Sequence, residues 1–83
     1  EAIEQLVTFI ATRTNQVAKV TEVSVKPEEE GRLSIEIKIT VTLGDKPFIK
    51  LAASVKERIA LSVSYFTGLD VKNVDVIISE VLI

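Results

Sequence analysis

The chain has no cysteine, no histidine, no methionine and no tryptophan. Without cysteine it forms no disulfide, offers no thiolate to a metal and supports no thiol redox chemistry. Without histidine it lacks the commonest general base near neutral pH and the commonest transition-metal ligand. Every Ser-His-Asp or Cys-His nucleophile arrangement is thereby excluded. Glycine is scarce as well: Gly31, Gly44 and Gly68 stand alone, and none opens a helix in the manner of a phosphate-binding loop. No apolar run approaches the ~20 residues that a membrane-spanning helix needs, and no signal-peptide pattern is present. A net charge of -2 and a pI near 5.1 provide no basic footprint for nucleic acid or anionic lipid.

What remains is a single small α+β domain over residues 1–83, with 47% hydrophobic residues for a core and 27% charged residues for solubility. A chain this short buries only about 60–65% of its unfolded surface, so its stability depends on efficient packing. The absence of methionine, with Glu1 already inside a helical pattern, leads to the expectation that the sequence is an excerpt of a longer protein.

Residues 33–43 give the clearest local signal. Leu33, Ile35, Ile37, Ile39, Val41 and Leu43 alternate with Ser34, Glu36, Lys38, Thr40 and Thr42. That period of two is a strand with one face on a core and the other in water. Upstream, residues 1–18 place Ile3, Leu6, Val7, Ile10, Ala11 and Val17 at helical spacing, with Glu1 and Glu4 where a helix dipole favours negative charge. Residues 20–26 alternate again, and Pro27-Glu28-Glu29-Glu30-Gly31 reads as the turn of an antiparallel hairpin.

Gly44-Asp45-Lys46-Pro47 leads into a long helix, with Asp45 or Lys46 at its cap and Pro47 in its first turn. Phe48, Leu51, Ala52, Val55, Ile59, Val63 and Phe66 form its apolar stripe, and Gly68 suits the left-handed position beyond its end. A last strand turns Val74, Val76 and Ile78 inward and Val71, Ile77 and Val81 outward. The order α-β-β-α-β predicts a small three-stranded mixed sheet with both helices packed on one face, its second and third strands parallel through a right-handed crossover.

The open face of the sheet offers Ser34, Glu36, Lys38 and Thr40, which read as a solvated surface with cross-strand ion pairing. No constellation of catalytic groups is present, so a non-enzymatic role is expected, with no cofactor and no metal. The same element order outlines a type II KH domain, a binder of single-stranded nucleic acid. The GxxG loop and helix pair on which that function depends are missing, and nucleic acid is not expected as a partner.

Ile35-Glu36-Ile37-Lys38-Ile39-Thr40-Val41, then Val55-Lys56-Glu57-Arg58-Ile59, and above all the TGLxVxxVxV run from Thr67 to Val76 resemble the alkaline shock protein family of Gram-positive bacteria. The compact hairpin is most similar to the membrane-anchor branch, whose cytoplasmic domain follows transmembrane helices. The chain departs from the family at Lys19, which stands where a glycine usually ends the first helix. The resemblance implies a scaffold or docking module of the envelope stress response. It would lie at the cytoplasmic face of the membrane, tethered only through segments absent from this chain. Its partners would be related proteins of the same family or further copies of itself. Residues left off the buried stripes, Leu61 and Tyr65 on the long helix and Ile77 and Val81 on the last strand, are the candidate protein interface.

Overall fold

The computed structural model describes residues 2–83. The elements run α1 (Ala2–Thr12), β1 (Val17–Pro27), a 3-10 turn (Glu29–Gly31), β2 (Arg32–Thr42), α2 (Phe48–Thr67) and β3 (Asp70–Leu82). The strands form one sheet in the order β1-β2-β3. β2 pairs antiparallel with β1 and parallel with β3. The expected α+β architecture, a mixed sheet with its helices on one face, is the one observed.

The alternation in β2 explains the arrangement. Leu33, Ile35, Ile37, Ile39 and Val41 are all buried, in one cluster with Val7 and Ala11 of α1, Leu51, Val55, Ile59 and Val63 of α2, and Val74 of β3. Complete burial of an isoleucine side chain contributes about 2–3 kcal/mol, so this row is the main source of stability. The opposite face is polar, with Lys38 Nζ 3.4 Å from Glu22 Oε1 and Ser34 Oγ 2.9 Å from Asn73 Oδ1. Both ion-pair partners are well exposed, which limits that bridge to below about 1 kcal/mol.

The first helix is shorter than its periodicity predicts, and Val17 begins a strand opposite Val41. The hydroxyls of Thr8, Thr12 and Thr14 donate back to the carbonyls of Glu4, Thr8 and Ile10 at 2.9, 2.9 and 3.3 Å. Such back-bonding loosens a helix. The chain then turns at Gln16, which takes a left-handed φ of 75°. Glu1 lies outside the described residues, which leaves Glu4 as the acidic group of the first turn.

Gln16 offsets the strain of its backbone by tying two loops together. Its Nε2 donates to the carbonyls of Thr42 (3.2 Å) and Lys46 (3.3 Å), and its Oε1 accepts from the Lys46 N–H at 3.0 Å. Gly44 makes room for it, because a Cβ there would fall 2.6 Å from Gln16 Cδ. With Lys46 held in this way, neither Asp45 nor Lys46 caps α2. The cap is Pro47, in an extended conformation with no side-chain hydrogen bond. Gly68 ends the helix as expected, at φ 75°, with its N–H on the Ser64 carbonyl at 3.0 Å.

Two register shifts change the reading of β3. They fall between Leu33 and Ser34 and between Ile39 and Thr40 in the pairing of β2 with β3, so that Val71 lies opposite Leu33 and Val81 opposite Val41. Both therefore share the helix-covered side with those core residues, whereas Ile77, opposite Lys38, stays on the open face. The expected outward trio of Val71, Ile77 and Val81 is thus reduced to Ile77. Strict alternation does not survive a bulge, which moves every residue beyond it to the other face.

Phe66 also departs from expectation: it closes the stripe on α2 yet is 67% exposed. An 11-residue α1 reaches about 16 Å and a 20-residue α2 about 30 Å. The last turns of α2 run past the cover that α1 provides.

Thr40 belongs to the polar row but is fully buried, beside the register shifts on both neighbouring strands. Its Oγ1 has no hydrogen-bond partner among the described residues. An unsatisfied buried hydroxyl costs about 1–3 kcal/mol. Thr40→Val is therefore expected to raise stability by about 1 kcal/mol, or about 4–8 °C in melting temperature for a domain of this size. A lower melting temperature would show the hydroxyl to be bonded. Gly44→Ala is expected to act in the opposite direction, by about 1–3 kcal/mol, since it displaces the Gln16 amide from its partners. Thermal unfolding followed by circular dichroism checks both.

Candidate interaction surface

The core leaves β1 and β3 as edge strands, and the two edges differ. β1 carries Lys19, Lys26 and Pro27, residues that discourage a further strand from pairing. β3 has Lys72 at its first register shift, and between the two shifts, residues 73–78, it holds no proline and one charged residue, Asp75. Its outer edge, away from β2, offers unpaired backbone groups to an incoming chain.

Beside that edge lies an open cleft of about 530 Å³, lined by Ile49, Ala52 and Ala53 of α2 and by Val76 and Ile77 of β3. Lys56 of α2 faces Glu36 of β2 and Asp75 of β3 at its rim, which gives it both signs of charge. The two alanines keep the helix thin here, and Ile49 stands 81% exposed at the first turn. Ile49 is absent from the interface expected from sequence. The signal that would have found it is its position off the buried stripe, three and seven residues from Ala52 and Lys56, which places the three on one flank of the helix.

The candidates from sequence fall in different places. Leu61 and Tyr65 are 67% and 82% exposed and sit four residues apart, so they share one stripe of α2. Tyr65 meets Phe66 edge to face with ring centroids 5.1 Å apart. Together these three form an apolar step where α1 no longer covers α2. Ile77 lines the cleft and is 38% exposed. Val81 is 36% exposed at the end of β3, near Leu82 and Ile83, and does not line that cleft. Phe9 is a further exposed aromatic, with the Arg13 guanidinium 5.2 Å above its ring.

Polar chemistry is sparse on all these surfaces. Among the described residues no three carboxylates, imidazoles or thiols gather closely enough to hold a metal ion. No helix among them is long and apolar enough to cross a membrane. The arrangement is equipped for recognition by apolar contact and strand pairing.

No family model matches the sequence, and no curated protein matches it. Solved structures do share its fold. A MamM CTD with a histidine-to-glutamate replacement aligns at a TM-score of 0.64 with 14% identity, over 95% of this chain and 92% of that one. A MamM CTD with a histidine-to-alanine replacement aligns at 0.65 with 16% identity, over 96% of this chain and 95% of that one. A cadmium form with an aspartate-to-glutamate replacement gives the same values, 0.65, 16%, 96% and 95%. The expected membership of the alkaline shock protein family is overturned by these neighbours. The TGLxVxxVxV run that carried it is the Gly68 helix stop followed by the apolar positions of β3, a pattern that the end of a strand-helix-strand crossover produces by itself. At this level of identity the chain is similar to the MamM CTD in fold.

Proposed function

We propose that this chain is a non-enzymatic interaction module that associates with further copies of itself through the β3 edge and the apolar cleft beside it. The observation that carries this reading is the open β3 edge at residues 73–78, where Asp75 is the one charged side chain, flanked by Ile49, Ala52, Ala53 and Ile77. An uncovered edge of this kind is a liability in a solitary domain and a binding element in an associating one. The opposite charges of Lys56 and Asp75 suit a patch that must complement its own copy across a two-fold axis.

The reading extends to location. The matched MamM chains are C-terminal domains by name, and the present chain covers nearly their whole length. By analogy, it is a module appended to a longer polypeptide and works at the cytoplasmic face of a membrane, held there by segments outside these 83 residues. That analogy in fold and the apolar surface of the domain support the interaction role. The absence of histidine and cysteine leaves acid-base and nucleophilic catalysis without their usual agents.

Sedimentation equilibrium over a wide concentration range tests the proposal. A monomer-dimer equilibrium is expected for the unaltered chain. Ile77→Lys, which places a charge in the cleft, is expected to weaken it about tenfold or more, in the range of an interface hot spot. Its melting temperature at low concentration is expected to stay close to that of the parent, since the residue is outside the core. Leu61→Ser and Tyr65→Ser probe the separate step on α2 and are expected to leave the dimer constant unchanged. A chain that stays monomeric throughout would overturn self-association. A dimer weakened by the α2 replacements and indifferent to Ile77→Lys would move the interface to Leu61 and Tyr65.

A further inference from the structure

We infer that the association of this chain is independent of transition-metal ions. The inference rests on the self-association proposed above and concerns how it is regulated. The fold invites the opposite expectation, because its structural neighbours include MamM CTD variants in cadmium, copper and nickel forms. The replacements named in those three forms fall on aspartate and glutamate, and those in further MamM CTD structures also on histidine and cysteine.

The donor set of the present chain does not fit such ions. Cadmium and copper favour sites containing thiolate or imidazole, and nickel favours imidazole. This sequence has no histidine and no cysteine. Its remaining donors are carboxylates, amides and hydroxyls, and these do not converge: no group of three suitable side chains forms among the described residues.

The nearest approach to a site is on the open face, where Glu36 lies opposite Asp75 in the sheet register. The surrounding polar atoms are committed to each other. Ser34 donates to Asn73 at 2.9 Å, and Asn73 Nδ2 donates to Asp75 Oδ2 at 3.4 Å. Lys26 shares the same hollow and supplies a competing positive charge. On the neighbouring rung Glu22 is taken up by Lys38 at 3.4 Å. Glu28 is the third carboxylate of this hollow, 4.0 Å from Lys72 Nζ, and the three do not gather closely enough to hold a metal ion among the described residues. The fold has been retained while the chemistry that would couple it to these metals is missing.

The experiment compares sedimentation of the unaltered chain in excess EDTA with sedimentation in equimolar and excess cadmium, nickel and copper chloride. Isothermal titration and thermal unfolding accompany it under the same conditions. The expected result is one dimer constant throughout, no saturable heat, and a melting temperature that metal does not raise. Ligand binding to the folded state alone would raise the melting temperature with metal concentration. Saturable binding near one equivalent, or a dimer constant that changes about tenfold between EDTA and metal (~1.4 kcal/mol), would overturn the inference. A chain that is monomeric in every buffer would instead overturn the self-association on which it rests, and the metal-independent assembly with it. The titration would then show whether a monomer without metal affinity remains.

Discussion

The rest of the structure depends on the burial of one row of β2, Leu33, Ile35, Ile37, Ile39 and Val41, beneath both helices. The row has period two, so a slip of one residue would put Ser34, Glu36 and Lys38 into the core and expose the isoleucines. Several buried isoleucines at about 2–3 kcal/mol each make that alternative untenable. With β2 fixed at the centre, its neighbours become edges of necessity. The interaction surface proposed above is therefore a consequence of the core: a sheet of three strands leaves two edges open, and their side chains decide which one is protected.

The connections serve the same strand. Gln16 holds a strained backbone in place because its side chain binds the loop that follows β2, where Gly44 admits it. This links the entry of β1 to the entry of α2, the two points at which the helix layer meets the sheet. At the far end the described residues of α1 do not reach the last turns of α2. One end of the molecule is thus tied by hydrogen bonds, and the other shows apolar side chains that stay exposed among the described residues.

The extent to which this was legible in the sequence follows from how local each cause is. The strand period of β2, the hairpin turn and the Gly68 helix stop are written in neighbouring residues, and they set the element order and the fold class. The end of α1 was misread because Val17 fits a helical stripe as well as it fits a strand. Its strand partner, Val41, lies far along the chain. The bulges of β3 exist only in the pairing, and no pattern within β3 announces that Val71 and Val81 face the helices while Ile77 does not. Phe66 and Ile49 depend on helix length and on which flank has a neighbour, and these are properties of the assembled layers. The family resemblance failed for a related reason: apolar periodicity and a glycine stop describe a class of local geometry that many folds share.

That separation between packing and chemistry bears on what the likeness to the MamM CTD can carry. At 14% and 16% identity, two chains superpose over nearly their full length because alternating and helical apolar patterns suffice to specify the layers. Donor atoms are not part of that specification. Histidine and cysteine contribute little to a core of valine, isoleucine and leucine, so they can be absent without disturbing it. A binding role has to be read from the side chains that the fold displays. Here those are aliphatic groups along an open strand edge, bordered by Lys56, Glu36 and Asp75. The self-association proposed above would use such a surface through shape, backbone hydrogen bonds and exclusion of water.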